Sequence, residues 1–167
     1  LKSAHIAGVS MGGMISQTVA LEHSHRIRSL TSIMSTTGDR YIGKLKAIRA
    51  ILTPPGKTKD EHIERGVGVF RVLAGDKLPF DEAAIRDLIA RAYDRDSENK
   101  GFTRQFAAIV ASGSRRKALK ELKVPALVIH GAQDPLIPVK AGIATAKAIP
   151  GSKLHIIEKM AHSMPSA

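Results

Sequence analysis

The sequence contains no cysteine and no tryptophan, and only two tyrosines and four phenylalanines. The absence of cysteine excludes disulfide bonds, thiolate metal sites and a cysteine nucleophile. The low aromatic content leaves few side chains on which nucleic-acid bases could stack. Nucleophilic chemistry in these 167 residues therefore has to use a side chain other than a thiol.

Long hydrophobic runs are also absent. No segment approaches the roughly 18 apolar residues that a membrane-spanning helix needs, and residues 1–7 do not begin the three-part pattern of a signal peptide. Hydrophobic residues make up 43% of the chain and charged residues 25%, as is typical of soluble globular proteins. We therefore expect one soluble, cytoplasmic domain with no membrane partner.

The charge is one-sided, with 26 lysines and arginines against 15 acidic residues and a formal net charge of +11. A basic surface can bind nucleic-acid phosphates without sequence preference. The positive residues are scattered, however, and the densest group, between Arg115 and Lys123, falls on one short predicted helix. We therefore favour a solvated basic surface and expect neither a nucleic-acid partner nor the steeply salt-dependent affinity that such binding would show.

Three regions of the chain differ in pattern. Residues 1–35 read as strand, helix, strand, and residues 121–167 again alternate strands and helices. The region between them, 36–120, is helical and carries most of the charge. This order predicts an α/β fold with a parallel sheet, whose core is formed by 1–35 and 121–167 and whose helical cap or lid is the insertion 36–120.

Individual elements follow from local signals. Strands are predicted over 4–9, 27–34, 124–130 and 153–158, and the third is continuously apolar, as a strand buried on both faces should be. In the middle region, Thr58 and Glu61 have the spacing of a capping box. Asp81 can cap the next helix, whose apolar positions predict a stripe lying on a core: Ile85, Leu88, Ile89, Ala92 and Tyr93. Helices are also predicted over 101–112 and from Tyr41 to Leu52.

Gly8-Val9-Ser10-Met11-Gly12 matches G-x-S-x-G, the nucleophile elbow. Gly8 and Gly12 would let a strand and a helix approach around a strained Ser10, and the N–H of Met11 could bind an oxyanion at the start of the helix. The pentapeptide alone is equally compatible with a glycine-rich turn. The predicted strand before it and helix after it favour the nucleophile.

Two further residues complete a possible triad. Asp134 follows the buried strand and could orient an imidazole across the top of the sheet, although an Asp-Pro turn is the alternative. His162 follows the last strand and could act as the general base for Ser10. His130 is interpreted as a packed strand-end residue. Five other histidines are expected to be structural or solvated: His5, His23, His25, His62 and His155.

The order Ser10, Asp134, His162 is that of α/β-hydrolases, and the sequence resembles that superfamily, in particular ester hydrolases similar to aclacinomycin methylesterase. The resemblance is carried by "AHIAGVSMGGMISQTVALEHSHRIRSLTSI", "RAYDR", "FTRQFAAIVASGSRRKALKELKVPALVIHGAQDPLIP" and "IPGSKLHIIEKMAHSMP". It implies a serine nucleophile, an acid, a base and the oxyanion residue Met11, with no cofactor or metal. Ala161 stands where the family usually has glycine.

The resemblance also implies that only the strands from the nucleophile strand onward are present. The first strand would then be an open edge, with a bare apolar face beside it. We therefore expect that this chain cannot remain an isolated family-like monomer. Its expected partners are the N-terminal half of the fold, present elsewhere, or further copies of the chain.

The resulting functional hypothesis is a serine hydrolase that cleaves small carboxylic esters through an acyl-enzyme, with activity impaired in these residues alone. Three alternatives stay open, since a fold does not fix its chemistry. The first two are a cofactor-free perhydrolase and a carbon–carbon bond hydrolase of the same fold. The third is a noncatalytic fragment that serves as an association module.

Overall fold

The computed structural model describes residues 1–97 and 101–164. Its centre is a parallel four-stranded sheet whose strands stand in chain order. The strands are β1 Ala4–Val9, β2 Ile27–Ile33, β3 Ala126–Gly131 and β4 Lys153–Ile157. The predicted α/β class is confirmed, and every pair of neighbouring strands is parallel.

Helices surround and interrupt this sheet. Within the described residues they are α1 Met11–Glu22, α2 Leu45–Leu52, α3 Lys59–Ala74, α4 Glu82–Arg95, α5 Gly101–Ser112, α6 Arg116–Leu119 and α7 Val139–Ala148. Helix α1 packs on β1 and β2, and α7 packs on β3 and β4. None of the helices in this part of the chain is long and apolar enough to cross a bilayer.

The main hydrophobic core lies between the sheet and helices α1, α6 and α7. Its buried members are Ala20, Leu30, Leu119, Leu122, Val124, Ala148 and Ile149. Leu119 has no exposed surface, and burying a leucine side chain stabilises a fold by about 1.5–3 kcal/mol. By its packing, α6 therefore belongs with the sheet, although the sequence pattern included residues up to 120 in the cap.

Two of the helices between β2 and α6, α3 and α4, begin at residues whose side chains cap them. Thr58 Oγ1 accepts a hydrogen bond from the Glu61 N–H at 3.2 Å, and the Glu61 carboxylate accepts one from the Thr58 N–H at 3.3 Å. This confirms the predicted capping box of α3. Asp81 caps α4 by accepting from the Ala84 N–H at 2.9 Å. Helix α2 begins at Leu45, later than predicted.

The predicted apolar stripe of α4 is buried only at Ile89. Ile89 packs closely on α3, where a Cβ added to Gly66 would lie 2.7 Å from Ile89 Cδ1. Leu88 on the same helix exposes 47% of its surface. The expectation that the whole stripe lies on a core was therefore wrong, because α4 packs mainly on α3.

Strand β1 forms one edge of the sheet, and its strand partner within residues 1–97 and 101–164 is β2. Along β1 only Gly8 is buried, and Val9 exposes 42% of its surface. The neighbouring helix α1 also presents Ile15, which is 53% exposed. The nucleophile strand of the motif thus stands at an exposed edge of the sheet.

Candidate active site

Ser10 occupies the tight connection between β1 and α1. Its backbone has φ 53° and ψ −117°, a conformation that costs a residue with a side chain about 1–3 kcal/mol. Two hydrogen bonds hold it there: the Ser10 N–H donates to the Ile33 carbonyl at 2.9 Å, and Ser35 Oγ donates to the Ser10 carbonyl at 2.7 Å. The end of β2 thereby fixes the elbow, and Ser10 stays half-buried there.

The glycines around Ser10 do not contribute equally. A Cβ on Gly8 would lie 2.1 Å from the Gly12 carbonyl oxygen, so β1 and α1 can approach only if Gly8 has no side chain. A Cβ on Gly12 would meet no heavy atom of the described residues within 4 Å, so the predicted steric need at Gly12 was wrong. The steric need for glycine exists at Gly13 instead, since a Cβ added to Gly13 would lie 2.6 Å from Ser35 Cβ.

His162 lies in the loop after β4 and is 9% exposed. Its Nε2 atom lies 3.0 Å from Ser10 Oγ, within hydrogen-bond distance for transfer of the hydroxyl proton. The His162 backbone N–H donates to the Leu73 carbonyl at 2.9 Å. Because Leu73 belongs to α3, the helical region between β2 and α6 helps to hold the histidine in place.

Asp134 lies in the loop after β3 and is 6% exposed. Its Oδ2 atom lies 2.7 Å from His162 Nδ1. Its Oδ1 atom accepts hydrogen bonds from the Leu136 N–H at 2.9 Å and the Ile137 N–H at 2.8 Å. The structure therefore brings Ser10, His162 and Asp134 into one continuous hydrogen-bonded chain, although they are far apart in the sequence.

The environment of Asp134 favours its ionised form. Burial alone would raise the pKa of this carboxyl group. Hydrogen bonds from His130 and His162, the charge of His162 and the Ile137 N–H act in the opposite direction and hold the pKa of Asp134 below its usual value. A buried carboxylate is therefore available at neutral pH to stabilise a positive charge on His162.

His130 is closer to the acid than the sequence analysis expected. It is fully buried in β3, and its Nε2 atom lies 2.8 Å from the Ile137 carbonyl oxygen and 3.4 Å from Asp134 Oδ2. The sequence signal for this contact was the four-residue spacing between His130 and Asp134 at the end of a buried strand. That spacing alone does not distinguish a packed histidine from one that contacts the acid.

Met11 is the first residue of α1, directly after Ser10. The Gly13 and Met14 N–H groups both donate to the Ser10 carbonyl, at 3.0 and 3.3 Å. The Met11 N–H makes no hydrogen bond within the part of the chain that the structure describes. An unpaired N–H at a helix N-terminus, beside a nucleophile, is a donor suited to an oxyanion.

A cavity of about 410 Å³ lies between α1 and α5, and Met11 at the start of α1 is among its lining residues. Its lining is mostly apolar and includes Met11, Met14, Ile15, Val19, Ala108 and Ile109. Phe102 and Phe106 of α5 stack with ring centroids 6.2 Å apart and are 43% and 46% exposed. The space between α1 and α5 can therefore accommodate an apolar group.

The parallel sheet and the strained serine between strand and helix define the class of protein. A family model described as alpha/beta hydrolase fold matches residues 1–165. The chain belongs to the α/β-hydrolase family, a family of enzymes, as its sequence resemblance implied.

Particular relatives are hydrolases of two kinds. The chain is 26% identical over 190 residues to rhodomycin D methylesterase DnrP of Streptomyces peucetius, covering 100% of this chain and 63% of that protein. It is 25% identical over 171 residues to 2-hydroxymuconate semialdehyde hydrolase of Pseudomonas putida, covering 97% of this chain and 57% of that protein. The chain thus spans less than two thirds of the length of these relatives.

Solved structures show the same fold. A meta-cleavage product hydrolase from Pseudomonas fluorescens IP01 superposes with a TM-score of 0.70 at 23% identity, over 96% of this chain and 58% of that one. The esterase RhEst1 from Rhodococcus sp. ECU1013 also superposes with a TM-score of 0.70, at 19% identity, over 96% and 59% of the two chains. The sheet and helices described above therefore correspond to somewhat more than half of each of these solved chains.

Proposed function

We propose that this protein is a serine hydrolase that cleaves carboxylic esters through a covalent acyl-enzyme. The observation that carries the proposal is the chain of contacts from Ser10 Oγ to His162 Nε2 at 3.0 Å and from His162 Nδ1 to Asp134 Oδ2 at 2.7 Å. This is the geometry that a serine nucleophile, a general base and an orienting acid require.

In the first half of the reaction, Ser10 Oγ attacks the ester carbonyl carbon and His162 Nε2 takes the hydroxyl proton. Asp134 keeps the proton of His162 on Nδ1 and stabilises the imidazolium that forms. His162 then protonates the leaving alcohol, and the acyl group remains on Ser10. In the second half, His162 takes a proton from water as the water oxygen attacks the acyl carbon. His162 then returns this proton to Ser10 Oγ as the Oγ–acyl bond breaks, which releases the acid and restores the free serine.

Met11 is the oxyanion donor that we assign. Its N–H, which is unpaired within residues 1–97 and 101–164, follows the nucleophile at the N-terminus of a 12-residue helix, where the helix dipole also favours negative charge. Removing one such donor slows turnover by about 100- to 1000-fold in a measured enzyme.

We assign substrate selection to the helices α2–α5. They lie between β2 and α6 in the chain, α5 borders the cavity that Met11 also lines, and α3 contacts the His162 loop. Loops and insertions on a rigid sheet are where hydrolases of one fold differ.

The exposed edge of β1 supports a further proposal about partners. A sheet edge with unpaired backbone groups is a site for strand pairing, and this chain spans 63% of the methylesterase relative. We propose that additional strands of the same protein cover β1 in the active enzyme. Size-exclusion chromatography of residues 1–167 tests this, because a monodisperse active monomer would contradict it.

Carbon–carbon bond hydrolysis is the second candidate. It is favoured by the 25% identity to 2-hydroxymuconate semialdehyde hydrolase, over 97% of this chain. Comparing turnover of p-nitrophenyl esters with turnover of 2-hydroxymuconate semialdehyde separates the two activities. Faster turnover of the semialdehyde would replace the ester proposal.

A fluorophosphonate probe tests the nucleophile directly, because it reacts with an activated serine. We expect the intact protein to be labelled once, at Ser10, and the Ser10→Ala variant to remain unlabelled. Ser3→Ala is the matched control, since Ser3 is an exposed serine just before β1. Equal labelling of the wild type and a folded Ser10→Ala protein would overturn the assignment.

A further inference from the structure

We propose that His130 is a positioning residue for the acid: its Nε2–H holds the turn between β3 and α7 so that Asp134 Oδ2 stays aimed at His162. This inference rests on the proposed hydrolase function. It assigns to a buried histidine outside the triad a specific role in the same reaction.

The direction of the hydrogen bond fixes the tautomer of His130. Its Nε2 atom lies 2.8 Å from the Ile137 carbonyl oxygen, which can only accept. Nε2 therefore carries the hydrogen. The same N–H lies 3.4 Å from Asp134 Oδ2 and gives a weaker second contact there.

Ile137 links the two sides of this arrangement. Its carbonyl oxygen accepts from His130, while its N–H donates to Asp134 Oδ1 at 2.8 Å. Ile137 is thus held by His130 of β3 through its carbonyl group and by Asp134 through its N–H. Once Oδ1 is held by the amides, the remaining oxygen Oδ2 can face only the imidazoles of His162 and His130.

The packing around His130 leaves it no alternative position. The residue has no exposed surface, and a Cβ added to Gly142 of α7 would lie 2.4 Å from His130 Nδ1. Nδ1 has no hydrogen-bond partner in the described residues. In this part of the chain Nδ1 therefore contributes no hydrogen bond, and the contacts of the ring with the turn are made through Nε2.

His130→Gln and His130→Met form a matched pair for the test. Glutamine can place an amide N–H near the position of Nε2, whereas methionine has a similar length and volume but no donor. We expect His130→Met to lower kcat for a p-nitrophenyl ester by about 10- to 100-fold, as misplacement of a catalytic group does. KM should stay within about twofold, because the substrate pocket is not altered. His130→Gln should recover most of the lost kcat.

A double-mutant cycle with Asp134→Asn separates positioning from general destabilisation. If His130 acts through the acid, His130→Met has little further effect on kcat once Asp134 is an amide. Circular dichroism spectra and unfolding midpoints of all variants establish that the assays compare folded proteins. Equal kcat values for His130→Met and wild type, equal loss in the Gln and Met variants, or full additivity in the cycle would each overturn the proposal.

The outcomes also distinguish this inference from the proposed function. If the wild type is inactive on esters and Ser10 is not labelled by the fluorophosphonate, the hydrolase proposal fails. If the wild type is active and labelled but His130→Met leaves kcat unchanged, only the role of His130 fails.

Discussion

Replacement of Asp134 by asparagine tests the proposed triad at its most constrained position. Every group around this carboxylate is a donor: two backbone N–H groups face Oδ1, and His162 Nδ1 and His130 Nε2 face Oδ2 at 2.7 and 3.4 Å. An asparagine amide offers one oxygen and one NH₂ group. In either orientation the NH₂ group meets two N–H donors.

The least costly response is a change of tautomer at His162. Its Nδ1 atom would then accept from the amide and its Nε2 atom would carry the hydrogen. In that form Nε2 cannot accept the proton of Ser10, 3.0 Å away. The same substitution in a protease with this triad lowers kcat by about 10⁴-fold, which corresponds to about 5.4 kcal/mol of transition-state stabilisation.

The assay is the initial rate of p-nitrophenyl ester hydrolysis, with the rate of fluorophosphonate labelling as a second measure. We expect kcat for Asp134→Asn to fall by about 10³- to 10⁴-fold and KM to change little. Asp76→Asn is the control, because the Asp76 side chain is 85% exposed and lies 3.7 Å from Lys77. A folded Asp134→Asn enzyme with kcat within tenfold of wild type would refute the assignment of the acid.

Three further predictions concern stability. The depressed pKa of Asp134 contributes stability that is present above the unfolded value of about 3.9 and is lost as the pH falls through the lower folded value. In thermal melts from about pH 5 to pH 2, the unfolding midpoint of Asp134→Asn should therefore fall less than that of the wild type. Gly8→Ala should lower the unfolding midpoint severely or prevent folding, because its Cβ would lie 2.1 Å from a backbone oxygen, whereas Gly12→Ala should be neutral or raise it, since alanine is favoured in helices by about 1 kcal/mol; equal midpoints would contradict this. In urea unfolding, Leu119→Ala should lower the free energy of unfolding by about 2–5 kcal/mol, whereas Leu88→Ala, at a half-exposed position, should lower it by less than about 1 kcal/mol. Equal decreases would contradict the assignment of α6 to the core.

Local signals in the sequence predicted much of the fold. Strand β1 and helix α5 have the predicted bounds, and the caps at Thr58 and Asp81 form the predicted hydrogen bonds. These features depend on residues close in the chain, so a short window contains their causes. The buried extent of α4 depends on which elements pack against it, and no window of its own sequence specifies that.

The site was predicted to a similar degree. Chain order and strand context selected Ser10, Asp134 and His162, and the structure brings them together. The motif did not reveal that Gly13, rather than Gly12, faces Ser35, because its spacing carries no information about the path of the backbone after the turn. His130 was missed as a contact of the acid since its role depends on the carbonyl of Ile137, which has no side-chain signature.

The hydrogen bond between the His162 N–H and the Leu73 carbonyl has a consequence for protein engineering. Helices α2–α5 are natural units to exchange when a hydrolase is redesigned for a new substrate. In this protein a transplanted helical region must also supply a backbone carbonyl where α3 now ends, or the His162 loop loses its contact with that region. Because that contact involves only main-chain atoms, no side-chain substitution can restore it, and the helix end has to be matched in length and direction.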